Sequence, residues 1–231
     1  MTPPIRIPRG LFVTGTDTSV GKTVVSTGLV RALRARGIDA AGMKPVETGV
    51  GAAGPLDALA LREAAGGADP LEDVCPERFA LPAAPSVAAA AEGRAVDLDR
   101  VRTAFERLRA RHACVIAEGA GGLLVPIAEG SDMADLAREL GLPLLVVARA
   151  SLGTLNHTRL TLEAIATRGL SLAGVVISHA AGPLPQGDAQ NLEALRQLLG
   201  SRLAGEVPPL ASGVPAPAEA FVWERLLRVL A

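Results

Sequence analysis

Short runs of β-branched and aliphatic residues alternate along the chain with longer stretches whose apolar positions recur at helical spacing. The continuous apolar runs Leu11–Thr14, Ala40–Lys44, Cys114–Ala117, Leu144–Ala148, Gly174–Ile177 and Ala204–Val207 predict strands buried on both faces. Helical spacing marks Gly21–Arg36, Asp97–Arg111, Asp132–Leu140, Thr154–Arg168 and Ala189–Leu199, and Ala218–Leu230 reads as a final amphipathic helix. Ser131 followed by Asp132 and Asp135 suits a helix start. The alternation predicts a doubly wound α/β fold, a mostly parallel sheet with helices on both faces. The Ala- and Pro-rich stretch Phe79–Val96 reads as a linker or a short helix after Pro85. It does not divide the chain, because the alternation resumes beyond it. Residues 1–231 are therefore expected to form one domain.

Between the first strand and the first helix lies GTDTSVGKT, Gly15 to Thr23. Strand, glycine-bounded loop and helix are the context of a phosphate loop, although five residues here separate Gly15 from Gly21 where the usual pattern has four. Successive backbone N–H groups through Thr18, Ser19, Val20, Gly21, Lys22, Thr23 and Val24, together with the helix N-terminus, favour a phosphate anion. Lys22 can reach the β- and γ-oxygens of a nucleotide, and the Thr23 hydroxyl is placed to ligate Mg²⁺. The bland alternative is a solvated turn.

Such a site needs a carboxylate for its metal. The strand Cys114–Ala117 leads directly into Glu118-Gly119-Ala120-Gly121-Gly122, and ligands gather beyond the carboxyl ends of strands in α/β sheets. Glu118 should therefore emerge beside the loop, a solvated strand-end Glu being the bland alternative, and the glycines after it let a ligand approach the backbone. Asp57, after Pro55 at an expected helix start, suits either a helix cap or a further Mg²⁺ ligand. Lys44, opening Lys44-Pro45-Val46-Glu47-Thr48-Gly49 at the end of the second strand, is either an exposed strand-end lysine or a second cation at the phosphates.

Composition narrows the partners. The net charge of −1 is spread along the chain, so no general field draws it to nucleic acid or to a membrane surface. Four Phe, one Trp and no Tyr leave few stacking platforms for single-stranded nucleic acid. Cys114 sits in an apolar run and is expected to be buried rather than redox-active, and no cysteine cluster suggests a metal. The opening MTPPIRIPRG reads as neither a signal peptide nor a membrane span, so a cytoplasmic location is expected.

Taken in order, GTDTSVGKT, KPVETG, an Asp shortly after, EGAGG and LGTLNHTRLTLEAI resemble dethiobiotin synthetase, from about Gly10 to Pro209. The odd spacing of the phosphate loop is that family's pattern. The resemblance implies an ATP- and Mg²⁺-dependent ring closure of 7,8-diaminononanoate with CO₂ (or bicarbonate) to dethiobiotin. A carbamate and a carbamic–phosphoric anhydride are the implied intermediates. It also implies roles for residues. Lys22 is the loop lysine, and Lys44 the catalytic lysine near carbamate and γ-phosphate. Thr23, Asp57 and Glu118 are the metal ligands. Thr18, Thr48, Gly122 and Asn156 meet the substrate, Asn156 from the partner subunit of a homodimer. Gly119, Ala120 and Gly121 lie between ATP and the diamine.

The family usually has an Asn reading adenine after the fifth strand; here Ser178-His179 stands there, with the backbone of Pro208, Pro209 and Leu210 left to compensate. Serine lacks the paired donor and acceptor of an amide, so weak base selectivity is expected. A rival class is a nucleotide-switch ATPase of the partition or septum-placement type, whose loop carries an extra lysine where this chain has Asp17. A cobyrinate-type amidoligase usually needs a fused glutaminase domain, for which 231 residues leave no room.

Overall fold

A computed structural model describes residues 10–179, 186–211 and 213–229. The first half runs β1 (Gly10–Gly15), α1 (Lys22–Ala35), β2 (Ala40–Met43), β3 (Val46–Thr48), α2 (Leu56–Ala64), α3 (Leu71–Val74), β4 (Glu77–Phe79), α4 (Pro85–Ala91) and α5 (Leu98–Arg111). The second half runs β5 (Cys114–Gly122), β6 (Pro126–Ala128), β7 (Ser131–Asp132), α6 (Met133–Glu139), β8 (Leu144–Arg149), α7 (Thr154–Thr167), β9 (Leu172–Ser178), α8 (Gln186–Leu199), β10 (Leu203–Val207) and α9 (Trp223–Val229).

Six of the strands form one parallel sheet in the order β10-β9-β8-β1-β5-β2. Alternate residues of each strand enter opposite faces, as the period of two demands. Phe12, Val115, Ala117 and Val146 join one core with α5, α6 and α8. Leu11, Val13, Ile116 and Val147 join the other with α1, α2 and α9. The doubly wound reading of the sequence is thus borne out.

Order reverses at β1, which lies between β5 and β8. The crevice of an open α/β sheet forms at such a reversal, beyond the carboxyl ends of the strands. The pairing of β1 with β5 shifts register between Val13 and Gly15, where the chain leaves for the phosphate loop. Helix α2 lies close over β2 because residue 42 is glycine: a Cβ there would sit 2.8 Å from the Leu61 Cβ. That close approach carries the first turn of α2, with Asp57, to the crevice.

Several boundaries differ from the sequence reading. β5 continues through Glu118 to Gly122, and β2 stops at Met43, one residue before Lys44. The final helix is broken. A 3-10 turn spans Ala218–Ala220, Phe221 bridges to Gly205, and α9 starts only at Trp223. Phe221 is buried beside Gly205, where a Cβ would meet the Ala220 carbonyl at 2.3 Å, so packing overrides the helical period there. Leu230 lies outside the described residues. The helix start marked by Ser131, Asp132 and Asp135 is present one residue later than the spacing predicts: Asp132 is the cap of α6, in a reciprocal capping box with Asp135, and the helix begins at Met133. Pro85 begins α4, the helical alternative for the Ala- and Pro-rich stretch.

Candidate active site

The loop between β1 and α1 ends on Gly21, whose φ of 94° is open to glycine at little strain, and no side chain caps α1. The first N–H groups of a long helix are therefore aimed into the crevice with no acid in the first turn. That is an anion-binding end. Lys22 folds over the loop, its Nζ donating to the Asp17 carbonyl at 3.1 Å. Burial, with Lys44 close by, lowers its pKa to about 8. Ser19 holds a left-handed φ of 56° and, with Thr18, is exposed at the loop's crest. The Val20 side chain is buried in the core beneath.

Four side chains from four segments converge below the loop. The Lys44 ammonium donates to Glu118 Oε1 at 2.6 Å and to Asp57 Oδ2 at 2.7 Å. The Thr23 hydroxyl lies 2.9 Å from both Asp57 Oδ1 and Glu118 Oε1. Glu118 is fully buried and Lys44 nearly so. Burial alone would lower the pKa of Lys44, but the charges of Glu118 and Asp57 outweigh it and raise the pKa above the ordinary value. Burial opposes ionisation of Asp57 too, yet the ammonium beside it holds its pKa below the usual range. Lys44 is a buried charge in a pair network rather than an exposed strand-end lysine.

Asp57 is the second residue of α2, not its cap; the helix begins at Leu56 after Pro55. The capping acceptor comes from outside the helix. Glu47 Oε1 accepts the Asp57 N–H at 3.1 Å and Oε2 the Ala58 N–H at 2.9 Å. Burial raises the pKa of Glu47. This role was invisible in the sequence, since residues 47 and 57 are ten apart and no local spacing links them.

These groups line a cleft of about 380 Å³ together with Thr18, Ser19, Gly21, Val24, Thr48, Ala120 and Gly121. A second hollow of about 370 Å³ adjoins it, sharing Thr18, Thr48, Ala120 and Gly121 and continuing along Pro82, Pro85 and Val125. Gly119 is closed off by the Phe12 ring, 2.9 Å from where its Cβ would be. Gly122 pairs with Gly15 at the start of the loop. Not every expected residue reaches the cleft. Asn156 lies on α7 beside a separate shallow hollow with Leu155, Arg159, Leu160 and Glu163. The Ser178 hydroxyl is buried without a partner, and His179 bonds Glu206 at 2.8 Å. Pro208 and Pro209 are exposed and Leu210 half-buried in the segment after β10.

The donor set can be weighed against Mg²⁺. Glu118 Oε2 is buried with no hydrogen-bond partner, both carboxylates already hold one cation, the Lys44 ammonium, and the Thr23 hydroxyl bonds the same two carboxylates. Among the described residues no three His, Cys, Asp or Glu side chains form a metal-binding cluster. Two carboxylates and a hydroxyl still suit Mg²⁺, a hard ion that takes oxygen ligands and keeps several waters. The buried thiols take no part: burial pushes both Cys75 and Cys114 up to about 12. No helix among the described residues is long and apolar enough to cross a membrane.

A family described as an AAA domain matches residues 9–216. The ATP-dependent dethiobiotin synthetase BioD of Anaeromyxobacter dehalogenans is 61% identical over 171 residues, covering 74% of this chain and 77% of that protein. The enzyme of the same name from Aromatoleum aromaticum is 46% identical over 213 residues, covering 90% and 94%. Among solved structures, the MinC:MinD cell division protein complex of Aquifex aeolicus aligns with a TM-score of 0.54 at 12% identity, over 96% of this chain and 86% of that one. That likeness speaks for the fold alone. Close identity to named relatives, maintained along most of both chains, decides what the fold cannot: this chain belongs to the ATP-dependent dethiobiotin synthetase family.

Proposed function

We propose that the chain, acting as one domain, converts 7,8-diaminononanoate, CO₂ and ATP to dethiobiotin, ADP and phosphate in the manner of its relatives. The single observation that carries the site assignment is the convergence of Lys44, Thr23, Asp57 and Glu118 beneath an uncapped helix N-terminus. An amine nitrogen of the substrate attacks CO₂ and releases a proton, giving a carbamate. A carbamate oxygen attacks the γ-phosphorus, and the bond to ADP breaks. The second amine attacks the anhydride carbon, phosphate leaves and the cyclic urea closes.

The residues contribute mainly position and charge, because phosphoryl transfer leaves little covalent work to the protein. The loop N–H groups and Lys22 hold the triphosphate. Lys44 turns from the carboxylates toward the carbamate and γ-phosphate, where its charge offsets the charge developing in transfer. Thr23, Asp57 and Glu118 would hold Mg²⁺, which would supply positive charge to offset that of the phosphates. Thr18, Thr48, Ala120 and Gly121 border the adjoining hollow, which suits the diamine chain, with Gly119 and Gly122 flanking them in the same strand. Asn156 would serve the substrate of the partner subunit in a homodimer, and Ser178, His179 and Pro208–Leu210 would border the base. The location consistent with this chemistry is the cytoplasm.

The test is the dependence of ATP turnover on its acceptor. ADP release should require both diamine and bicarbonate. Fast release without the diamine would overturn the reading in favour of a nucleotide switch.

A further inference from the structure

We propose that Glu47 is a positioning residue for the reaction: its carboxylate caps α2 from outside and so fixes Asp57 toward the metal site. This rests on the metal reading of Asp57 given above.

Helix α2 begins at Leu56 behind Pro55, a residue with no polar side chain to cap it. An N-cap side chain normally accepts from the second or third N–H of its helix. Those donors are Asp57 and Ala58, and Glu47 takes both, at 3.1 and 2.9 Å. The carboxylate is buried and faces the helix N-terminus, where negative charge is favoured. Glu47 stands in β3, three residues after Lys44. One short segment therefore grips Asp57 twice. Lys44 holds its Oδ2 at 2.7 Å, and Glu47 holds its backbone. When Lys44 turns to the substrate, the side chain keeps only the Thr23 hydroxyl at 2.9 Å, and Glu47 is what holds the backbone of Asp57.

A local cap would stabilise the helix equally well but would not tether it to β3. That difference makes the role testable. Mn²⁺ serves as the probe, its binding followed by electron paramagnetic resonance in the presence of a non-hydrolysable imido analogue of ATP. Glu47→Ala should weaken Mn²⁺ binding about 10- to 100-fold, the range for partners that orient metal ligands. Glu47→Gln, with one acceptor oxygen in place of two, should fall between Ala and the unaltered protein. Adding Pro55→Ser to Glu47→Ala supplies a local cap. It should restore thermal stability while Mn²⁺ binding stays weak.

Equal Mn²⁺ affinity in Glu47→Ala and the unaltered protein would overturn the proposal. Recovery of affinity together with stability in the double variant would also overturn it, reducing Glu47 to a helix cap. Should Glu47→Ala fail to fold, Glu47→Gln carries the same comparison. Failure of the unaltered protein to bind Mn²⁺ with the analogue would instead defeat the metal reading itself.

Discussion

Replacing Lys44 by Ala isolates the central electrostatic feature of the site. The ammonium lies 2.6 Å from Glu118 and 2.7 Å from Asp57, with Glu118 entirely buried and the Asp57 side chain 39% exposed. In Lys44→Ala, Asp57 can recover hydration, whereas Glu118 keeps only the Thr23 hydroxyl and already has one oxygen unpartnered. Removing one partner of a buried pair costs about 3–5 kcal/mol, because the remaining charge is left uncompensated. In a chain of this size 1 kcal/mol shifts Tm by roughly 2–4 °C, so a fall of about 6–20 °C is expected. On the proposed metal reading, Mg²⁺ takes the place of the missing ammonium. Millimolar Mg²⁺ without nucleotide should therefore recover much of the loss in Lys44→Ala and add little to the unaltered protein. Thermal melts followed by circular dichroism, with and without the ion, measure both effects. A fall of under about 1 °C, or equal Mg²⁺ stabilisation of both proteins, would refute the shared-cation reasoning. In turnover, the same substitution should lower kcat far more than it weakens ATP binding.

Lys22 gives a pH dependence whose sign is fixed. Its pKa of about 8 in the nucleotide-free protein should rise when phosphate arrives, so above pH 8 binding must take up a proton and ATP affinity should decline; Lys22→Met should flatten that profile in calorimetric titrations. Glu118→Gln preserves shape but removes a charge from the metal site, and should weaken apparent Mg²⁺ affinity in turnover by roughly 100-fold or more; an unchanged Mg²⁺ dependence would exclude Glu118 as a ligand. Ser178 is buried and offers no amide, so ATP should be preferred over GTP only weakly in kcat/KM; a preference of thousands-fold would contradict that reading.

What the sequence revealed and what it hid follow physical lines. Strands such as Leu144–Arg149 are continuous apolar runs buried on both faces, and their pattern is strong. The phosphate loop and EGAGG carry local signatures, so Lys22, Thr23 and Glu118 could be found without knowledge of tertiary contacts. Lys44 and Asp57 could be nominated but not resolved, since an exposed lysine and a paired one share the same local sequence. Glu47 was missed because its partners are the N–H groups of a helix ten residues on. The short pairs β3–β4 and β6–β7 have strands of two or three residues, below the length at which alternation is visible. The break at Phe221 is a tertiary effect, set by its bridge to Gly205.

The account's central claim is that a substrate carbamate attacks the γ-phosphate of ATP in this cleft. The most direct measurement supplies ATP, 7,8-diaminononanoate and bicarbonate labelled with ¹⁸O, and follows the products by mass spectrometry. The predicted result is a product heavier than the diamine by CO₂ less one water, with one label oxygen carried into the released phosphate. Phosphate free of label, or ADP formed with no such product, would contradict it.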